Sequence, residues 1–221
     1  MEKRIAIFGA GGFGREVLQL IRDINECQPL WSCAGFIVDS GFESQSMVSG
    51  LPILGNATWL EANPDVYVVV AVGSSAVRRR ITSQIKTQCK NSFAVLVHPR
   101  AWVGKNVEIG AGSVICAGSL ITTDIKISEH VHVNIGSTIG HDALLGDFVT
   151  LNPSVNVSGN VVLNEGVEAG TGSIIIPGCT VGEWSVIGAG SVVTKSLKAN
   201  CTAVGAPARI VKERPGGWQM G

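Results

Sequence analysis

The chain has 221 residues, 17 basic against 17 acidic, so a formal net charge of zero gives no footprint for nucleic acid or for an anionic membrane surface. Apolar residues make up 45% and charged residues only 15%, yet no run of 18 apolar residues is present to span a bilayer. The opening MEKRIAIFGAGG lacks the long apolar stretch and cleavage site of a secretory leader, and the expectation is a cytoplasmic protein.

Residues 4–8 read as a buried strand that runs into Gly9-Ala10-Gly11-Gly12-Phe13-Gly14, followed by an amphipathic helix over 15–24. Strand, G-x-G-x-x-G and helix together form the turn that lets phosphates approach backbone N–H groups at a helix N-terminus. A second strand, 34–38, ends in Asp39, where an acid can bind a ribose hydroxyl. A short helix near 58–62, a strand over 66–72 ending at Gly73, a basic amphipathic helix over 75–87 and a strand over 93–97 complete this part. The obvious reading is an NAD domain, but about a hundred residues hold only half of a doubly wound dinucleotide fold. A half-Rossmann unit suits a mononucleotide, so a nucleotide-linked ligand is expected, unless the glycines serve only a tight turn. Loops around 39–50 would shape the base pocket. His98-Pro99 closes the domain at residue 98, with His98 expected to pack at the junction.

From Val103 the sequence keeps a period of six. Of the sixteen positions from Val103 to Val193 in steps of six, fifteen are Ile, Leu or Val, and the exception is Ala169. The residue four places after each is small, β-branched or otherwise apolar (Val107, Ser113, Ser119, Ile125, Val131, Ser137), and Gly follows the aliphatic directly seven times. Neither a helical nor an alternating-strand period fits; a six-residue repeat marks a parallel β-helix, in which three hexads close one triangular coil. The aliphatic and the small residue point inward, and Gly is expected to serve the tight bend. An irregular sandwich would not hold register over about five coils. The solenoid is assigned to 99–211 and a polar, Gly/Pro-rich tail at 212–221 is expected to be mobile.

Six cysteines lack CxxC or Cys/His spacing and read as reduced structural thiols, so no metal is expected. Cys179 takes an inward position, and the neighbours of Cys116 (Ile115, Ala117, Gly118) offer no base. His130, His132 and His141 fall on positions expected to face outward, and only His141 is followed by an acid, Asp142. An outward imidazole beside a carboxylate is held in one tautomer and made more basic, as a general base near neutral pH requires.

GAGGFG, Val38-Asp39, Ile-Gly-His-Asp at 139–142, Ile-Gly-Ala-Gly-Ser-Val-Val at 187–193 and Gly-Ala-Pro-Ala-Arg at 205–209 together resemble the sialic acid O-acetyltransferase and nucleotide-sugar N-acetyltransferase family (NeuD/PglD-like). The resemblance covers nearly the whole chain. It implies a left-handed parallel β-helix behind the half-Rossmann domain, a homotrimer with active sites between neighbouring solenoids, and acetyl-CoA as co-substrate. His141 matches the family's catalytic base and Asp142 the acid beside it. A nucleotide-sugar, expected from the family to carry a 4-amino-4,6-dideoxy sugar used in surface polysaccharide, would be held by Gly11, Gly12, Phe13, Asp39 and Gly73. Acetyl-CoA would lie near Gly159, Thr171 and Ala189. Thr150, which stands where relatives often carry a second histidine, would bind acetyl-CoA through a hydrogen bond from its hydroxyl. A sialic-acid-type O-acetyltransferase and a non-catalytic nucleotide-sugar-binding scaffold are the alternatives.

Overall fold

The computed structural model describes residues 2–39 and 46–220. Strands β1 (Lys3–Phe8), β2 (Trp31–Ile37) and β5 (Tyr67–Val70) form a parallel sheet in the order β2-β1-β5. Between them lie a two-residue hairpin, β3 (Met47–Val48) with β4 (Leu51–Pro52), and the short helix α2 (Thr58–Glu61). Helix α1 (Gly12–Cys27) covers one face of the sheet, packing Val17, Leu18 and Ile21 on Ile5 and Ile7. Helix α3 (Ser75–Gln88) covers the other, packing Ile81 and Ile85 on Ala6 and Phe8. Burial on both faces is why these strands read as continuous apolar runs rather than alternating ones.

The hexads form a parallel β-helix of three sheets with six, five and eight strands. Pairing advances by one coil at every rung: Ile121 faces Ile139, which faces Val157, which faces Ile175. From Ile115 to Val193 every sixth residue is buried, and so are the small residues four places later, including Cys179. The glycines after the aliphatic act differently from expectation. They do not carry the left-handed bend; a Cβ on Gly104 would lie 1.9 Å from Thr122 O, and one on Gly140 2.6 Å from Gly159 N. They are required by close approach of the next coil. The bend comes two residues later, where Gly alternates with Asn, Asp and a few bulkier residues, among them Asp142 at φ 59°.

β6 (Leu96–Val97) already belongs to the solenoid: it opens the eight-stranded sheet against Val114–Ile115, while Phe93 still bridges to Val68 in the α/β sheet. The α/β domain lies on that eight-stranded sheet. The guanidinium of Arg78 on α3 is fully buried there. It donates to the carbonyls of Val72 and Gly73 on its own side, and to those of His130 (2.9 Å) and Phe148 (2.7 Å) and the Thr150 hydroxyl (2.8 Å) on the solenoid. Glu168 reaches from the solenoid to accept from Ser75 N at 2.7 Å, finishing the start of α3, which has no side-chain cap of its own. Lys86 pairs with Glu129, and Arg79 with Glu165. His98 is buried at the junction, 2.8 Å from Asp23.

Two expectations are corrected here. His130 and His132 point out of the prism but not into solvent: they are 0% and 1% exposed. Phe93 packs edge-on to His130 at 4.5 Å, Phe148 stacks on it at 5.3 Å, and Phe13 lies 4.8 Å from His132. The tail is also fixed further than expected. Arg209–Glu213 pairs antiparallel with Cys201–Val204, and a 3₁₀ turn, Trp218–Met220, returns to α3.

Candidate active site

At the carboxyl ends of β1, β2 and β5 a cavity of about 450 Å³ opens, lined by Gly9, Ala10, Gly11, Asp39, Val72 and Val77 among others. The crevice beyond the carboxyl ends of parallel strands is where open α/β sheets bind ligands. The four glycines of GAGGFG divide into two kinds. Gly9 has φ +113° with Ala71 O 2.7 Å from its notional Cβ, and a Cβ on Gly14 would strike Gly9 O. Those two are dictated by the fold. Gly11 and Gly12 have nothing within 4 Å of a Cβ, and Gly11 sits at an ordinary φ of −74° as the cap of α1, with no acid in the first turn. Nothing in the chain itself requires glycine there; an anion approaching the bare N–H groups of α1 would. Asp39 lies at the cavity wall and pairs with Arg80 at 3.2 Å. Of the other residues expected here, Phe13 turns to His132, and Gly73 gives its carbonyl to Arg78 and Thr150 at the adjoining loop. Residues 40–45 of the expected base-pocket loop lie outside the described residues.

His141 occupies the solenoid edge between the six-stranded and five-stranded sheets, just after Thr138–Ile139. The left-handed backbone of Asp142 turns its carboxylate back, with Oδ2 2.7 Å from His141 Nδ1. An ionised carboxylate only accepts, so Nδ1 is the donor, and in the neutral ring the lone pair lies on Nε2. Both side chains are more than half exposed, at 60% and 56%. The ring rests on Gly159 of the next coil, where a Cβ would come within 2.6 Å of Nε2 and Cε1. Gly159 is glycine because the imidazole lies on it.

The remaining expected contacts are dispersed in one chain. Thr171 and Ala189 are exposed and stacked one coil apart, on the edge between the eight-stranded and six-stranded sheets. Thr150 is 3% exposed beneath the α/β domain, hydrogen-bonded to Arg78, Ser75 and Gly73. The edge bearing His141 is opposite the eight-stranded sheet on which the α/β domain lies, so cavity and histidine do not meet within one copy. Cys116 is buried, and desolvation, with Glu16 nearby, pushes its thiol up to about 12, which leaves no thiolate for nucleophilic work. Arg80 was not singled out by the sequence: one arginine in a basic helix carries no local signal.

An α/β nucleotide-type crevice set on a hexad β-helix, with an oriented histidine at a solenoid edge, defines a hexapeptide-repeat acyltransferase with a ligand-selecting front domain. Residues 4–85 match the PglD N-terminal domain. The chain is 32% identical over 217 residues to GDP-perosamine N-acetyltransferase from Escherichia coli O157:H7, covering 95% of this chain and 96% of that one. Its structure is similar to PerB from Caulobacter crescentus, solved with CoA and GDP-perosamine (TM-score 0.85, 28% identity, 94% and 97% coverage). It is equally similar to the acetyltransferase domain of PglB from Neisseria gonorrhoeae FA1090 (TM-score 0.85, 30% identity, 95% and 100% coverage). The chain belongs to the NeuD/PglD-like family of sugar acetyltransferases, and its solenoid is the left-handed parallel β-helix of that family.

Proposed function

We propose that this protein transfers an acetyl group from acetyl-CoA to the amine of a nucleotide-linked amino sugar, in the family of 4-amino-4,6-dideoxy sugars, within the cytoplasm and toward surface polysaccharide. The observation that carries the chemistry is the His141–Asp142 pair, which in the neutral ring places the proton on Nδ1 and the lone pair on Nε2, over Gly159. His141 Nε2 takes a proton from the attacking amine as the C–N bond forms on the thioester carbonyl. Asp142 holds the tautomer and stabilises the imidazolium. The Gly159 N–H, with no side chain in the way, is the donor for the oxyanion. Collapse breaks the C–S bond, and the proton on His141 passes to the departing CoA thiolate.

Residues 1–98 select the nucleotide-sugar, through Gly11, Gly12 and Asp39, and 99–211 supply the acetyl-transfer site, with Thr171 and Ala189 along the CoA path. A homotrimer is part of this reading, and the topology supports an assembly of more than one copy. Cavity and His141 sit on opposite sides of one solenoid, so a second copy must bring its α/β domain to this edge. Supporting this, the six-stranded sheet that leads into the His141 edge carries exposed Trp102 (57%), Leu120 (47%) and Ile174 (39%) on its outer face. Relatives solved with CoA and GDP-perosamine support the substrate pair.

His141→Asn is the test. Thiol release from acetyl-CoA, with a panel of free and nucleotide-linked amino sugars, should fall by about two to four orders of magnitude. A folded variant that keeps most of its turnover would remove His141 as the base. Equal acetylation of free and nucleotide-linked sugar by the wild type would remove the substrate class instead.

A further inference from the structure

We propose that Arg80 is the cation that receives the diphosphate of the substrate, and that Asp39 parks it at the pocket in the meantime. This rests on the nucleotide-linked reading of the α/β cavity. Among the described residues the wall of that cavity is apolar or acidic: no lysine or arginine lines it, and Asp39 brings a negative charge. Residues 40–45, Ser-Gly-Phe-Glu-Ser-Gln, which lie outside the described ones, carry no cation in their sequence. A diphosphate would meet the bare N–H groups of α1, which supply only about half a positive charge, and a carboxylate opposing it.

Arg80 corrects this balance. It lies on α3 one turn after Val77 and next to Ile81, both of which line the cavity. Its Nη2 is 3.2 Å from Asp39 Oδ2, which joins α3 to the end of β2 with the GAGG turn of β1 between them. The guanidinium is 69% exposed, in contrast to Arg78, and so is free to turn. An exposed pair of this kind contributes little, so leaving Asp39 costs little. A guanidinium on phosphate oxygens, bidentate and partly shielded by the bound ligand, gives more. Exchange therefore runs toward the diphosphate, and Asp39 is released for the nucleoside hydroxyls at the moment they arrive.

Calorimetric titration tests this with GDP, UDP and dTDP, and with guanosine, uridine and thymidine, against wild type, Arg80→Gln and Arg80→Lys. For whichever diphosphate binds the wild type, Arg80→Gln should weaken affinity about 10- to 100-fold, the worth of a charge-assisted hydrogen bond. Arg80→Lys should recover part of the loss, and the nucleoside alone, which brings no phosphate to draw Arg80 off Asp39, should bind Arg80→Gln no more weakly than the wild type. Arg15, on the first turn of α1, is the competing cation, and Arg15→Gln is measured beside them. Wild-type diphosphate affinity in Arg80→Gln, or the loss appearing in Arg15→Gln instead, overturns the assignment to Arg80. Gly11→Val keeps the two failures apart: if it too leaves diphosphate binding untouched, the cavity is not the nucleotide site at all.

Discussion

Acid should loosen the seam between the two domains, and His130 makes the effect calculable. Its ring is fully buried and neither nitrogen has a hydrogen-bond partner among the described residues. Desolvation, then the charges of Lys86 and Arg78 on α3, hold it down to about 4 from an ordinary 6.5, with Glu129 opposing. The ring also lies against Gly112, Phe93 and Phe148, and nearby His132 is itself held well below 6.5 by burial and then by Arg78. A histidine depressed in the folded state stays neutral while the unfolded chain takes up its proton. Its contribution is therefore complete above pH 6.5 and is lost as pH falls from 6.5 to about 4. That interval of about 2.5 pH units, at about 1.36 kcal/mol each, is about 3 kcal/mol for His130 alone. His130→Phe removes the proton site, and the backbone accepts it: Phe148 holds the same corner position one coil on, at φ 61° against 56° for His130. Denaturant unfolding followed by near-ultraviolet circular dichroism, from pH 7.5 down to 4.5, should give a shallower acid slope for the variant by about 1.4 kcal/mol per pH unit. Superimposable pH profiles for the two proteins would refute the reasoning, since no buried neutral imidazole would then be setting the seam.

Asp142→Asn should lower turnover less than His141→Asn does, because the ring keeps a neighbour at Nδ1 and loses only the charge behind it; a loss as large as that of His141→Asn, or none, would count against the pair. Gly11→Ala should leave the melting temperature near wild type yet raise KM for the nucleotide-sugar, whereas Gly14→Ala, with Gly9 O 1.9 Å from the new Cβ, should fail to fold; a circular dichroism melt and initial rates separate them. Arg78→Met should destabilise by about 3–5 kcal/mol, since carbonyls of Val72, His130 and Phe148 lose a buried charged donor together; a loss under about 1 kcal/mol in denaturant would mean that water replaces it.

The solenoid was legible because its rule is local: the residue at each sixth position meets its own kind one coil away, as Ile121 meets Ile139, and each coil repeats the constraint. The oriented histidine was legible for the same reason, since Asp142 is its chain neighbour and the left-handed corner does the rest. The seam was not. His130 and His132 obey the outward pattern as well as His141 does, and what buries them, Phe13 and Phe93, lies tens of residues earlier in the chain. Arg78, Arg79 and Arg80 look alike in sequence, yet one is buried on carbonyls, one pairs with Glu165 and one pairs with Asp39. A helix turns about 100° per residue, so three successive side chains face three different surroundings, and those are fixed only when the domains meet.

Helix α3 begins in one domain and is completed by the other: Glu168 supplies at Ser75 N what its own Ser74 does not. A gene fragment ending near residue 88 would encode every strand of the α/β sheet but leave α3 with an open first turn and Arg78 without its solenoid acceptors. Exchange of front domains between enzymes of this kind is thus limited by a short list of partners on the acceptor solenoid: a carboxylate at the position of Glu168, a hydroxyl at Thr150, and a corner whose carbonyls turn outward to an arginine of the front domain. Grafts that keep those three should give an ordered chimera, and grafts chosen at the boundary in the sequence alone should not.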